Sequence, residues 1–150
     1  EHVRKGARLV IVRPVDVAAA GVEACEWALA YPGMAGIALP EAHNVFPVEK
    51  RALPPPAMRL LTAWRHHKVA AWFDTQRFSL LNSMIRGQAR EVRVYTIHSD
   101  LDLKAARELV RDGDAFIRAL DECADRFDRK EYGYHVTLGA SRRPPYKIER

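Results

Sequence analysis

Short, uninterrupted apolar runs that alternate with segments of helical periodicity constrain the fold of this chain most. Three such runs, at residues 9–12, 34–39 and 69–73, each stop at a turn that contains proline or polar residues. A strand that is apolar at every position is typical of a parallel sheet with both faces buried. The pattern therefore predicts an α/β fold in three layers, with a mainly parallel sheet covered by helices.

The segments between these runs place apolar side chains at intervals of three or four residues, as amphipathic helices do. Predicted helices span approximately residues 16–31, 57–67, 79–89, 103–110 and 114–127. Two further strands are predicted at residues 92–97 and 132–138, where apolar and polar residues alternate. Ligands of such sheets bind at the carboxyl ends of the strands. Residues 40–44 and 74–77 are therefore the first places to look for a site.

Composition excludes several classes of protein. No apolar stretch approaches the ~20 residues of a membrane-spanning helix, and the amino terminus has no signal-peptide pattern. The two cysteines, Cys25 and Cys123, are far apart, so neither a disulfide framework nor a zinc site is expected. We therefore expect a cytoplasmic protein with no membrane partner. The 24 basic and 19 acidic residues give a net charge of +5, which is compatible with DNA as a partner.

Two segments resemble a known family. Residues 36–43, Gly-Ile-Ala-Leu-Pro-Glu-Ala-His, form an apolar strand followed by an acidic turn. This segment resembles the Walker B region of P-loop ATPases, particularly those of the HerA/FtsK type. About 34 residues later, the strand that ends in Asp74-Thr75-Gln76-Arg77 resembles the Thr-Gln-Arg sensor strand of DNA-pumping and packaging ATPases. The resemblance extends over residues 9–98, roughly two thirds of the chain.

The resemblance implies a RecA-like P-loop NTPase core that binds ATP and Mg²⁺. Phosphoryl transfer needs a group that orients the attacking water and polar groups near the γ-phosphate and metal. By resemblance, Glu41 would orient the water and Gln76 would sense the γ-phosphate. Asp74 and Thr75 would lie beside the nucleotide and its metal ion.

The resemblance also implies a homo-oligomeric ring, since ATPases of this class usually work as rings. In such a ring, Arg65 or Arg77 would act as an arginine finger across a subunit boundary. A cation at that position stabilises the charge that develops on the phosphoryl group.

The sequence departs from the family pattern at two places. Pro40 stands where the family has a Mg²⁺-associated aspartate, and no direct protein ligand for a metal is assigned. No Gly-x-x-x-x-Gly-Lys-Ser/Thr motif occurs in the 150 residues. Residues 1–140 are therefore interpreted as a partial RecA-like core whose phosphate loop would precede residue 9. The alternative is a non-catalytic ATPase-like module that binds DNA or a ring partner.

The strand-end residues also have purely structural interpretations. Glu41 can be an ordinary solvated turn residue, and residues 74–76 can form a capping turn. His43 is expected to make a hydrogen bond within its own turn.

A rival function of another class comes from the last predicted strand. His135 and Thr137 form the His-x-Thr pattern of two-histidine phosphoesterases, and period-two geometry places both on one face. That chemistry needs two such elements, and residues 97–100 do not supply the second.

The carboxyl-terminal residues 141–150 form a basic segment that we separate from the core. Arg142, Arg143 and Lys147 are candidates for contacts with DNA phosphates. A solvated extension is the alternative.

Overall fold

The computed structural model describes residues 15–31, 33–49 and 52–150. The predicted strand at residues 9–12 lies outside the described residues. The helices are α1 (Val17–Ala30), α2 (Ala42–Val45), α3 (Pro55–His67), α4 (Ser83–Gln88), α5 (Asp100–Arg107) and α6 (Gly113–Asp128). The strands are β1 (Gly36–Leu39), β2 (Ala70–Phe73), β3 (Val92–Val94), β4 (His135–Leu138) and β5 (Lys147–Glu149).

The described strands form two sheets. β1 and β2 are parallel, with Gly36 opposite Ala70 and Leu39 opposite Phe73. β3, β4 and β5 are antiparallel, in that order. The predicted parallel sheet is thus confirmed for β1 and β2, whereas the prediction was wrong for the carboxyl-terminal strands. Two helices, α5 and α6, lie between β3 and β4, and only eight residues connect β4 to β5, so neither pair has the single helical crossover of a parallel βαβ unit.

The first hydrophobic core lies between the β1–β2 sheet and helices α1 and α3. Ile37, Leu39 and Phe73 face this core, where Cys25 and Leu60 are fully buried. The helix predicted at residues 16–31 is confirmed, and its cap is the side chain of Asp16, which accepts a hydrogen bond from the Ala19 amide at 2.9 Å.

The opposite face of the β1–β2 sheet is not covered by the described residues. Trp72 is 61% exposed there, and its ring lies over Gly36, where a Cβ atom would come within 2.5 Å of it. The prediction that helices cover both faces of these strands is therefore not met by the described part of the chain.

The second core lies between the antiparallel sheet and helices α5 and α6. Phe116, Leu120, Val136 and Leu138 are buried at its centre. The amphipathic helix predicted after Asp114 is confirmed as α6. It begins slightly earlier, because Asp112 is the capping residue and accepts a hydrogen bond from the Ala115 amide at 2.9 Å.

The helix predicted at residues 79–89 is divided in two. A 3-10 turn covers Phe78–Leu80, and α4 starts only after Asn82, whose side chain accepts a hydrogen bond from the Met84 amide at 3.0 Å. Ser79 is the first residue of the predicted helix, but it does not cap a helix. Its own amide instead donates to the carboxylate of Asp102.

Among the described residues, no helix combines the length and the apolar character that crossing a membrane requires.

The contact between α1 and α2 gives a first test of the fold. A Cβ atom at Gly21 would lie 2.2 Å from Cγ1 of Val45, a buried side chain that is stiff at χ1. We expect Gly21→Ala to lower the free energy of unfolding by about 1–3 kcal/mol through overpacking, which outweighs the gain in helix propensity. Urea denaturation measures this change.

The matched control for this change is Gly87→Ala in α4. Nothing lies within 4 Å of the added Cβ atom there. We expect this variant to be more stable than wild type by about 0.5–1 kcal/mol. A Gly21→Ala protein as stable as the Gly87→Ala protein would contradict the close packing of α1 on α2.

Candidate functional site

The carboxyl ends of β1 and β2 bring together the two turns that the sequence singled out. The amide of Asp74 donates to the carbonyl of Leu39 at 3.1 Å, and the amide of Ala42 donates to the carbonyl of Asp74 at 2.8 Å. These two bonds extend the parallel ladder past the ends of the strands. The Glu41 turn and the Thr75 turn are therefore held side by side, and we call them together the strand-end site.

Glu41 has an unusual backbone conformation in this site. Its φ angle is 50° and its ψ angle is 44°, in the left-handed region that side-chain-bearing residues rarely adopt. Its carboxylate makes no capping hydrogen bond to α2, and its side chain is 39% exposed. Such strain is often found at functional sites. The carboxylate thus does not cap the helix that it precedes, and more than a third of the side chain is open to solvent.

His43 connects the two turns. Its Nδ1 atom lies 2.8 Å from Oγ1 of Thr75 and 3.5 Å from Oε2 of Glu41. The histidine side chain is 14% exposed. The prediction that His43 bonds within its own turn was therefore incomplete, because its shortest contact crosses to a residue 32 positions away. Nothing in the spacing of the two segments indicates this contact.

The Thr75 turn is itself organised by side chain to backbone bonding. Oγ1 of Thr75 accepts a hydrogen bond from the Arg77 amide at 3.1 Å, as in the turn expected from the structural interpretation. Thr75 is half-buried, whereas Asp74 and Gln76 are exposed on either side of it. The turn therefore holds Thr75 against His43 and presents the two longer polar side chains to solvent.

Asp102 fixes the segment that follows the site. This buried carboxylate accepts a hydrogen bond from the Ser79 amide at 2.6 Å, and its other oxygen lies 3.4 Å from Nε of Arg77. Burial raises the pKa of Asp102, but hydrogen bonds from Ser79 and the charge of Arg77 outweigh it, so the pKa lies below its ordinary value. Asp102 belongs to α5, and it thereby connects the strand-end site to the second core.

Asp102 was not among the residues singled out in the sequence. The expected helix began only at residue 103, which left Asp102 in a loop. Ser99-x-x-Asp102 fits the looser Ser/Thr-x-x-Asp/Glu signature of a helix start, and it would have placed the start correctly, although the Ser99 side chain makes no capping hydrogen bond. It gives no indication of the contacts with residues 77 and 79.

The remaining predicted residues lie apart from the strand-end site. Arg65 is in the last turn of α3, just before β2 begins, so the backbone places it at the opposite edge of the sheet from Glu41. Arg142 is half-buried, and its guanidinium donates to the carbonyls of Leu138, at 3.1 Å, and of Ala89. Burial lowers the pKa of Arg142.

The other two candidates for phosphate contacts in the carboxyl-terminal segment, Arg143 and Lys147, are exposed. Lys147 lies in β5, which pairs with β4 through Thr137. Within residues 141–150, β5 is therefore part of the antiparallel sheet, so the whole segment is not a solvated extension.

The His-x-Thr pattern occupies one face of β4, as period two requires. His135 is 5% exposed and lies under the ring of Tyr95, whose centroid is 5.2 Å away. The hydroxyl of Thr137 donates to Oε2 of Glu149 at 2.7 Å. His135 is thus covered, and Thr137 is occupied by a structural hydrogen bond.

No group of three or more histidine, cysteine, aspartate or glutamate side chains converges within the described ranges. The carboxylates of Glu41 and Asp74 nevertheless lie on adjacent turns. Oxygen donors of this type suit Mg²⁺, which usually takes one or two carboxylates and completes its shell with water and substrate phosphates.

Comparisons with known proteins bear on the fold. Neither protein-family models nor curated proteins match the chain. Among solved structures, the chain is similar to the genome packaging NTPase B204 from Sulfolobus turreted icosahedral virus 2 in complex with ATP-gammaS, with a TM-score of 0.58 and 17% identity. The AMPPCP complex of the same protein gives a TM-score of 0.61 and 19% identity. Each match covers 79% of this chain and 52% of the other.

A third similar structure is B204, the DNA-packaging ATPase from Sulfolobus Turreted Icosahedral Virus. The TM-score is 0.63 at 17% identity, over 98% of this chain and 77% of that chain. The chain spans about half the length of the first two structures. At these identities the similarity shows the fold alone: the chain has a mixed α/β fold similar to that of these genome packaging NTPases.

Proposed function

We propose that this chain is the partial core of an ATP-driven DNA translocation or packaging motor, and that the strand-end site faces the nucleotide. The observation that supports this most is the pairing of Glu41 with the Thr75 turn at the carboxyl ends of two parallel strands. Two of the similar structures contain the ATP analogues ATP-gammaS and AMPPCP. The carboxyl ends of parallel strands are also where nucleotides bind in this class of fold.

In the proposed mechanism, Glu41 orients the attacking water and takes up its proton. Gln76 contacts the γ-phosphate, and Asp74 and Thr75 complete the polar wall of the site. His43 holds the two turns in register through Thr75 and so fixes the distance between Glu41 and Gln76. When bound, Mg²⁺ would neutralise the charge of the phosphates, with the carboxylate of Asp74 and water beside it.

The two arginines are proposed to act in a ring of identical subunits. The backbone places Arg65 at the far edge of the sheet from Glu41, so in this proposal it acts on a neighbouring subunit's nucleotide rather than on its own. Arg77 is tethered through Nε to Asp102, so its position is set by α5. Hydrolysis requires a phosphate-binding loop that these 150 residues do not contain.

The absence of that motif, together with Pro40 at the position of a metal-associated aspartate, favours a second candidate function. In this candidate, the chain is a non-catalytic ATPase-like module that binds DNA or a ring partner.

ATP hydrolysis and nucleotide binding by the complete protein separate these candidates. We expect phosphate release from Mg²⁺-ATP that increases when duplex DNA is added. Tight binding of a fluorescent ATP analogue without phosphate release, with or without DNA, would favour the non-catalytic module. If the complete protein bound no nucleotide, the proposed role of the strand-end site would be wrong.

A further inference from the structure

Three separate parts of the chain meet at Arg142. Its guanidinium donates to the carbonyl of Ala89, which ends α4, and to that of Leu138, which ends β4. Its own carbonyl accepts a hydrogen bond from the Arg111 amide at 3.0 Å. The hydroxyl of Tyr146 lies 3.2 Å from the same carbonyl and 3.3 Å from the amide of Asp112. This half-buried arginine therefore joins α4, the α5–α6 connection and the β4–β5 connection.

Exposed arginines flank each of these contacts. Arg90 follows Ala89, Arg143 follows Arg142, and Arg111 is bonded to Arg142 directly. All three side chains are exposed. They come from segments that are about 20 to 50 residues apart in the sequence, so only the folded chain groups them. We call Arg90, Arg111 and Arg143 the arginine surface.

The neighbouring acidic groups do not neutralise this surface. Glu91 pairs with Arg93 at 2.8 Å, and Asp114 lies 3.4 Å from Arg107. Asp112 caps α6 through the amide of Ala115. Asp112 keeps its charge, since an amide is its partner, and Glu108 adds a fourth carboxylate. Six arginines nevertheless face these four carboxylates in residues 89–93, 107–114 and 142–143, so the surface keeps an excess of positive charge.

We propose that the arginine surface binds the phosphate backbone of duplex DNA. Guanidinium groups contact phosphate oxygens through paired hydrogen bonds, and such contacts position a protein on DNA without reading its sequence. Arg142 does not contact phosphate in this proposal. It is the positioning residue that brings the three segments together. The proposal rests on the DNA-handling part of the proposed function, and it does not require ATP hydrolysis.

The test is binding of the complete protein to a fluorescent duplex of random sequence, measured at several salt concentrations without nucleotide. The triple variant Arg90→Gln, Arg111→Gln, Arg143→Gln is compared with wild type. Each lost phosphate contact flattens the dependence of log K on log salt by about 0.9, so we expect a slope shallower by about 2–3. Affinity should fall at least tenfold at low salt. The control Arg59→Gln removes an exposed arginine of α3, in the first core, and should bind as wild type.

Urea denaturation establishes that the triple variant is folded, which we expect since all three side chains are exposed. A triple variant with the affinity and salt slope of wild type would overturn the proposal, as would a wild-type protein that binds no duplex. An equal loss of affinity in Arg59→Gln would also overturn it, because any exposed arginine would then serve. If the wild-type protein binds duplex DNA and the triple variant does not, but the wild-type protein does not hydrolyse ATP, the result counts only against the strand-end site.

Discussion

Replacing Glu41 by glutamine in the complete protein is expected to lower ATP turnover by about 10²- to 10⁴-fold, the usual contribution of a positioned acid–base group. Glutamine has nearly the same size and keeps one oxygen near Nδ1 of His43. It cannot take up the proton of the attacking water. Because the substitution leaves the strand-end backbone intact, the affinity for an ATP analogue should not change. Steady-state phosphate release and analogue binding measure the two effects separately.

The control for this prediction is Glu49→Gln, which removes a carboxylate from an exposed residue in the same loop region. Its turnover should equal that of wild type. If wild type hydrolyses ATP and Glu41→Gln does so at the same rate, Glu41 has no part in the mechanism. If both variants lost activity equally, a general effect of charge on the site would be responsible instead.

The elements that local sequence determines could be predicted. The helix at α1 follows from one capping aspartate and a regular apolar stripe, and α6 follows from the clearest amphipathic pattern in the chain. The β1 and β2 strands follow from continuous apolar runs, which also located their carboxyl ends and the strand-end site. In each case, the signal lies within one short continuous stretch of sequence, and tertiary packing reinforces it.

The residues that organise the site depend on contacts between distant segments, and these could not be predicted. His43 reaches Thr75 across 32 positions, and Asp102 reaches Ser79 across 23. A polar residue in a turn looks the same in sequence whether its side chain meets water or a partner. Arg142 shows this most clearly, because it was expected to contact phosphate and instead donates to two carbonyl groups inside the protein.

Only part of the antiparallel sheet could be predicted. Alternating residues correctly predicted strands at β3 and β4, but β5 has only three residues and was missed, and the antiparallel pairing of β3 and β5 with β4 was not predicted. Their pairing with β4 depends on the α5–α6 layer, which packs against Val136 and Leu138. The strand β5 thus exists because of its neighbours rather than its own composition.

Removing the Asp102 side chain is expected to have the largest effect on stability. We expect Asp102→Ala to lower the free energy of unfolding at neutral pH by about 2–3 kcal/mol, since a short hydrogen bond to the Ser79 amide is lost. The ion pair with Arg77 adds little, because that side chain is 51% exposed and screened by solvent. Urea denaturation at neutral and acidic pH provides the measurement.

The pH dependence separates this role from simple packing. The folded-state pKa of Asp102 is lowered, so its stabilisation is complete above the unfolded-state pKa of about 3.9 and is lost as the pH falls through the folded value. The difference between wild type and Asp102→Ala should therefore shrink in acid. Asp114→Ala is the control, since Asp114 lies 3.4 Å from its arginine, as Asp102 does, but is 82% exposed. It should cost less than about 1 kcal/mol. Equal costs for the two variants would mean that Asp102 does not fix the segment following the strand-end site.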